Sequence, residues 1–309
     1  MIELDLVGLL DFFRNLQDRL CTALEREDGA PFCERSWENP PKESGRHRIL
    51  EDGKVIERGA VAVSQVHGAE LPASASARHP ELSGRSYRTV GISAVIHPRS
   101  PMVPTSHLNL RLFAVVNEEG GESWWSGGGF DLTPYYAVEE DCVRWHQEAK
   151  RACDPFGADL YPRFKKWCDE YFYLSHRSEA RGIGGLFFDD FNELGFDTTV
   201  GFLRAVGEAY LRAYLPLVAK HKGERYGAAQ REFQLLRRGR YAEFNLLLDR
   251  GTRFGLQTGG RVDSILASLP PRARWEYDWQ PEAGSEEERL LRLFSTPREW
   301  LASGCGGVG

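Results

Sequence analysis

The chain has 309 residues, of which 41% are hydrophobic, with 8 tryptophans and 17 phenylalanines, enough apolar material for a large core. A net charge of −6 and a pI near 5.8 exclude a general nucleic-acid binder, which needs a concentrated basic face. They leave room for a local basic pocket around a small acidic ligand, and no apolar run reaches membrane-spanning length.

The N-terminal "IELDLVGLLDFF" carries acids where a signal peptide needs a basic region. The cysteines (21, 33, 142, 153, 168 and 305) form no CxxC pair, so reduced thiols and a cytoplasmic location are expected. No linker or internal repeat divides the sequence. A single domain is expected over 1–303, with a disordered tail at 304–309.

In chain order, Leu6, Leu9, Leu10, Phe13, Leu16, Leu20 and Leu24 share a helical stripe over 4–26. β-type runs then flank Asp52-Gly53, a hairpin signal. "YRTVGISAVIH", "HLNLRLFAVVN" and "ESWWSGGGFDL" follow as strands. Strands in succession without helices between them imply an antiparallel sheet. Helices are expected at Glu139–Cys153 and Pro162–Leu174, with "GGLFFDDF" as a strand after them. A long helix over Asp197–Lys220, capped by Asp197 or Thr198, and another at Tyr226–Arg238 come next. "YAEFNLLLDRGTRFGL" reads as strand with a turn at Asp249–Thr252, and Val262–Leu269 as a short helix. Ser285 with Glu288 makes a capping box for a helix to Phe294. Thr296-Pro297-Arg298-Glu299 repeats the device. The fold class is α+β: a large antiparallel sheet flanked by helices.

Alternation along the strand from His107 puts Leu108, Leu110 and Leu112 on one face, and His107, Asn109 and Arg111 on the other. Such a face can be a wet outer surface. A pocket floor suits it better, with Arg111 to hold a carboxylate and His107 to move a proton. Asp131 follows three glycines; either it faces a ligand in an aromatic wall or it caps a turn. "QTGGRVDS", with Gly259, Gly260 and Arg261 before a helix, is an anion site or a plain helix start. In "RGIGGLFFDD" the glycines precede a strand, the wrong order for a dinucleotide loop, and Asp189 and Asp190 are either acids of a site or, the favoured reading, strand-end turn residues. His97, His107, His146 and His176 could bind a divalent metal, although no HExxH or HxH spacing supports it.

Taken together, "ISAVIHPRSPMVPTSHLNLR", "WWSGGGFDLTPYY", "RGIGGLFFDDF" and "EFNLLLDRGTRFGLQTGGRVDSILASLPP" resemble the oxygen-dependent coproporphyrinogen III oxidase family of haem biosynthesis, over nearly the whole chain. The resemblance is to a bacterial-type member without a mitochondrial leader. It implies oxidative decarboxylation of two propionates of coproporphyrinogen III to vinyls, giving protoporphyrinogen IX, with O2 as co-substrate and no organic cofactor. It implies His107 as proton donor, Asp131 facing the pyrrole N–H groups, and substrate contacts from Ser93, Asn109, Leu110, Arg111, Gly259, Gly260 and Arg261. Asp249 matches a further acid. Alternation turns the Leu110 side chain away from His107. The resemblance also implies a homodimer with 241–274 in the contact, and a divalent metal at His97, His107, His146 and His176. Two other classes stay open: a metal-dependent non-haem oxygenase using those histidines, and a tetrapyrrole carrier. The prolines between His97 and His107 are expected to shape a loop that returns His97 toward the His107 face.

Overall fold

The computed structural model describes residues 4–39, 43–71, 79–117, 121–257 and 261–301. Helix α1 (Val7–Asp28) leads into strands β1 (Cys33–Asn39), β2 (Glu43–Glu51), β3 (Ile56–Gly68), β4 (Tyr87–Pro98), β5 (Thr105–Val116) and β6 (Glu122–Thr133). Helices α2 (Glu139–Cys153) and α3 (Leu160–Tyr171) follow, then the short strands β7 (Tyr173–Leu174) and β8 (Glu179–Ala180), and β9 (Gly184–Phe191). Helices α4 (Phe196–His221), α5 (Ala228–Glu243), α6 (Arg250–Gln257), α7 (Val262–Leu266) and α8 (Glu286–Ser295) complete the described chain.

Seven strands form one sheet in the order β1-β2-β3-β4-β5-β6-β9, and every pairing is antiparallel. The predicted α+β class is therefore the observed one. The Asp52-Gly53 hairpin joins β2 to β3, with Asp52 at φ 59°. Asp28 anchors this turn, its carboxylate accepting from the backbone N–H groups of Lys54, Val55 and Ile56 at 3.2, 2.8 and 2.7 Å. Three otherwise orphaned donors are thereby satisfied.

Period-two alternation gives the sheet two different faces. One carries Val61, Val63, Val90, Ile92, Ala94, Ile96, Leu108, Leu110, Leu112, Phe130, Leu132, Leu186 and Phe188, all buried in the main core. Helices α1 and α4 lie against this face, and their apolar stripes (Leu9, Phe13, Leu16, Leu20; Phe202, Val206, Tyr210) fill the same cluster. The opposite face carries the polar residues and is roofed by the segment from α5 to α7.

Several local expectations differ from the structure. β1 has no announcing signal in the sequence: its "CERSWEN" alternates too weakly for a strand and pairs only at the sheet edge. The long helix begins at Phe196 after Gly195 (φ 77°) instead of at an Asp197 or Thr198 cap. Residues 241–248 and 250–256 are helical, not strand, with Asp249 extended between them. Helix α5 widens into a π turn over Phe244–Leu248, closed by Asp249 N donating to Phe244 O at 2.9 Å. Asp249 then opens α6, its Oδ2 accepting from Thr252 N and Oγ1 at 2.7 and 2.9 Å. The apolar run mimics a strand, but Phe244 and Asn245 are buried and Leu248 packs partly inward, while Leu246 and Leu247 face outward. The short helix predicted to Leu269 stops at Leu266. Ser285 caps α8 as expected, accepting from Glu288 N at 3.1 Å, whereas Thr296–Glu299 forms no helix. Residues 304–309, Gly259 and Gly260 lie outside the described residues.

Candidate active site

Strand β5 supplies the floor. Leu108, Leu110 and Leu112 are 0% exposed on the core side, while His107, Asn109 and Arg111 are half-buried on the other. The antiparallel register sets their neighbours. On β4, Val95 faces His107, Ser93 faces Asn109 and Gly91 faces Arg111. On β6, Asp131 faces His107, Gly129 faces Asn109 and Gly127 faces Arg111. Above this floor is a cavity of about 660 Å³, within the range of small-molecule sites. Ser93, His107, Asn109, Arg111, Asp189, Asp249 and Arg261 line it, with the aromatic rings of Phe113, Trp125, Tyr171, Phe172 and Tyr241.

At one end His107 Nδ1 lies 2.8 Å from Asp131 Oδ1. Asp131 is 1% exposed and lies beside His107 across the β5–β6 pair, covered from the cavity. Arg181 Nη2 donates to both of its carboxylate oxygens at 2.8 Å, and Arg181 Nη1 donates to Asn245 Oδ1 at 2.8 Å. Burial alone would raise the Asp131 pKa; the Arg181 charge and the His107 hydrogen bond outweigh it and hold the carboxyl below its ordinary value. An ionised Asp131 accepts the Nδ1 proton of His107 and leaves Nε2 as the free basic nitrogen. Arg181 is itself clamped among rings, its Cζ 4.1 Å from the Phe172 centroid, 4.3 Å from Tyr241 and 4.7 Å from Phe244.

In the middle, Arg111 Nη2 donates to Asp189 Oδ1 at 2.6 Å and Nη1 to Asn109 Oδ1 at 3.0 Å. Arg250 Nη1 reaches Asp189 Oδ2 at 3.3 Å. Asp189 therefore holds two arginines at the cavity, and the turn reading given to it is corrected. Gly127 makes space for the pair: a Cβ there would lie 2.7 Å from Asp189 Oδ1 and 2.9 Å from Arg111 Nη2. Asp190 (φ 56°) pairs with His79 Nε2 at 2.6 Å. His79 stacks on Trp125 at 4.4 Å and Trp125 on Phe113 at 5.5 Å, an aromatic end wall. Asp249 accepts from the Tyr171 hydroxyl at 2.9 Å. Arg261 lies 5.2 Å from the Trp37 ring. Leu110 is fully buried on the helix side, so its side chain points away from the cavity and only its backbone borders it.

The four histidines do not converge, and among the described residues no three His, Cys, Asp or Glu side chains gather as a metal shell. His97 shares the His107 face because it lies two residues past Val95, so strand register places it there, not the proline loop. It is buried, with Nε2 donating to Ser268 O at 3.0 Å and Nδ1 3.2 Å from Thr105 Oγ1. His146 donates from Nε2 to Ile183 O at 3.0 Å and accepts at Nδ1 from the Tyr161 hydroxyl at 3.1 Å. Burial lowers the His146 pKa to about 3. His176 pairs with Glu243 at 2.9 Å in a more exposed position.

Arg181, His79, Arg250 and Tyr241 are site residues that the sequence reading does not reach, and Asp189 is one it offers only as the less favoured alternative. Arg181 and Asp189 stood inside the segment set aside as a poor dinucleotide loop, and their charge next to an apolar strand was the available signal.

An α+β fold whose sheet floors an apolar cavity with arginines and a histidine–carboxylate pair is an enzyme scaffold suited to an anionic organic ligand. A family profile described as coproporphyrinogen III oxidase matches residues 9–300. The chain belongs to that family, an oxidoreductase family of haem biosynthesis that decarboxylates propionates of coproporphyrinogen III. Among the described residues no helix is long and apolar enough to cross a membrane.

Proposed function

We propose that this chain performs the decarboxylation with O2 as oxidant and without an organic cofactor, in the cavity floored by β5. The observation that carries this reading is His107 at the cavity surface, with Nδ1 tied to the buried Asp131 at 2.8 Å. Arg111 and Arg261 offer charge-assisted contacts to the substrate's carboxylates. Ser93 and Asn109 lie side by side on the floor. Gly259 and Gly260 belong to the same set by resemblance alone.

His107 Nε2 is the group that exchanges a proton with the pyrrole N–H, and Asp131 acts through it by holding the ring. Loss of that proton makes the pyrrole electron-rich and lets a ring carbon react with O2. Each propionate then loses CO2 from its carboxyl end and one hydrogen from the carbon attached to the ring. Two electrons pass to oxygen, which takes up two protons and leaves as peroxide. The side chain keeps the new double bond as a vinyl.

His97 and His146 have both ring nitrogens engaged within the protein. A shared four-histidine metal shell does not fit these side chains, and no step is routed through one. The reading includes a cytoplasmic homodimer, supported by the exposed Leu246, Leu247, Leu256 and Val262 within 241–274; light scattering of the purified protein tests the dimer.

The deciding experiment gives chelator-treated protein anaerobic coproporphyrinogen III, then admits O2 and follows CO2 and products by chromatography. Protoporphyrin formation without added metal is expected. Activity only after restoring a divalent ion would overturn the metal-free part. Binding with no CO2 under either condition would favour a carrier.

A further inference from the structure

One carboxylate serves two arginines on the cavity wall. Asp189 Oδ1 accepts from Arg111 Nη2 at 2.6 Å, and Oδ2 faces Arg250 Nη1 at 3.3 Å. The Asp189 side chain is only 11% exposed, against 31% for Arg111 and 40% for Arg250. The carboxylate is thus recessed, and the two guanidinium groups reach further into the cavity that all three border. Asp249, next to Arg250 in the chain, is engaged elsewhere, accepting from the Tyr171 hydroxyl and from Thr252.

Neither arginine depends on Asp189 alone to hold its place. Arg111 also donates from Nη1 to Asn109 Oδ1 at 3.0 Å. Arg250 lies over Tyr171 and Phe187, its Cζ 4.7 and 5.5 Å from their ring centroids, and those rings stack on each other at 4.0 Å. What Asp189 adds that these partners do not is negative charge. Without it, a carboxylate in the cavity would feel the sum of two cations; with it, one positive charge is left over, the complement of one carboxylate. The reaction makes that balance matter. The substrate brings four propionates and the product still carries two, and a site that grips both alike gains nothing in turnover.

We propose that Asp189 is a built-in counter-ion that limits the Arg111–Arg250 pair to one propionate and keeps its grip weak enough for the product to leave. This rests on the reading of the cavity as the coproporphyrinogen site and deepens it. Asp189 touches no reacting atom and acts through the two arginines, as a positioning residue. The arriving propionate takes N–H groups on the cavity side of the pair, while Asp189 keeps those on the recessed side. Two cations then face two carboxylates, and the loaded cluster is neutral. Take away the Asp189 charge and the loaded cluster stays one charge positive, so every carboxylate ligand is held more firmly.

Asp189→Asn is the test, because its amide oxygen can still accept from Arg111 while the charge is gone. Anaerobic titration measures the affinities for coproporphyrinogen III and for protoporphyrinogen IX. Both are expected to tighten about tenfold at low salt, the scale of one partly screened charge at contact distance. The gain should shrink as salt is raised. In turnover the KM should fall and inhibition by added product should deepen. Asp189→Ser removes the charge with a smaller side chain and should tighten binding in the same way, whereas Asp189→Glu keeps the charge and should not. Equal or weaker affinity in the folded Asp189→Asn and Asp189→Ser variants, or tightening in Asp189→Glu as well, overturns the assignment. Wild type that binds the porphyrinogen but releases no CO2 would sink the oxidase reading and leave this comparison standing; wild type that binds no porphyrinogen would sink both.

Discussion

His107 and Asp131 stand directly opposite each other on neighbouring strands, Nδ1 to Oδ1 2.8 Å. A cross-strand pair fixes the imidazole more tightly than a loop could, because both backbones belong to the same hydrogen-bonded ladder. Asp131 then sets the tautomer from beside the ring, while Arg181 keeps the carboxylate ionised.

Asp131→Asn should reduce kcat by on the order of 10²–10⁴, the range seen when a histidine loses its orienting carboxylate. The KM for the porphyrinogen should change little. The variant also leaves Arg181 as a buried charge without its counter-ion, at a cost of about 3–5 kcal/mol. Steady-state kinetics with a urea unfolding curve separates the two effects. Unchanged kcat in a folded variant would remove Asp131 from the proton-handling unit.

Arg111→Ala should raise the KM for coproporphyrinogen III roughly 10–100-fold, the scale of a lost charge-assisted hydrogen bond. Asp189 keeps Arg250 as a partner at 3.3 Å, so the thermal midpoint should move little. A large drop in that midpoint with unchanged KM would make Arg111 a structural residue.

Gly127→Ala tests the same pair from the opposite strand. The added methyl meets Asp189 Oδ1 and Arg111 Nη2 at 2.7 and 2.9 Å. These are the ends of flexible side chains, so the fold should tolerate it while the pair shifts out of position. Substrate affinity is expected to fall about tenfold, as the geometry of a preorganised contact is lost. Affinity equal to wild type, measured by anaerobic titration, would show that the pair's position is immaterial.

Acid should destabilise the protein well before the carboxylates are neutralised. Burial lowers His47 to about 4, with Arg261 adding to it, and His146 to about 3, against an ordinary 6.5; His97 is lowered in the same direction, mainly by burial. Below 6.5 the unfolded chain binds protons that the folded rings refuse. Stability therefore falls as pH drops from 6.5 toward 4 and then 3, by up to about 1.4 kcal/mol per pH unit for each ring. Urea unfolding across that window reads the slope. A flat profile would mean that these rings titrate normally in the native state.

Periodicity made the centre of the sheet legible. His107, Asn109 and Arg111 could be assigned to one face because leucines at 108, 110 and 112 had to turn the other way. The helix α2 boundaries followed from the pattern alone. What escaped was set by distant partners. Arg181 becomes a site residue only when β8 and β9 bring it beside Asp131 on β6, and Asp189 only when β9 pairs along β6 near Gly127. Neither association leaves a local signature. The run after Tyr241 misled for the opposite reason. Its Phe-Asn-Leu-Leu-Leu has the composition of a strand, yet α5 extends into it as a wider helical turn, and local propensity gave way to continuation of the preceding helix.

The sheet's two faces carry a further consequence for variation in this chain. Along β5, stepping by a single position moves a substitution from the packed side to the ligand side. Leu108 or Leu110 changes should register as shortened protein lifetime, and changes at the adjacent His107, Asn109 or Arg111 as altered chemistry in a protein that persists. A scan of this strand scored for both abundance and turnover should yield two interleaved records, out of phase by one residue.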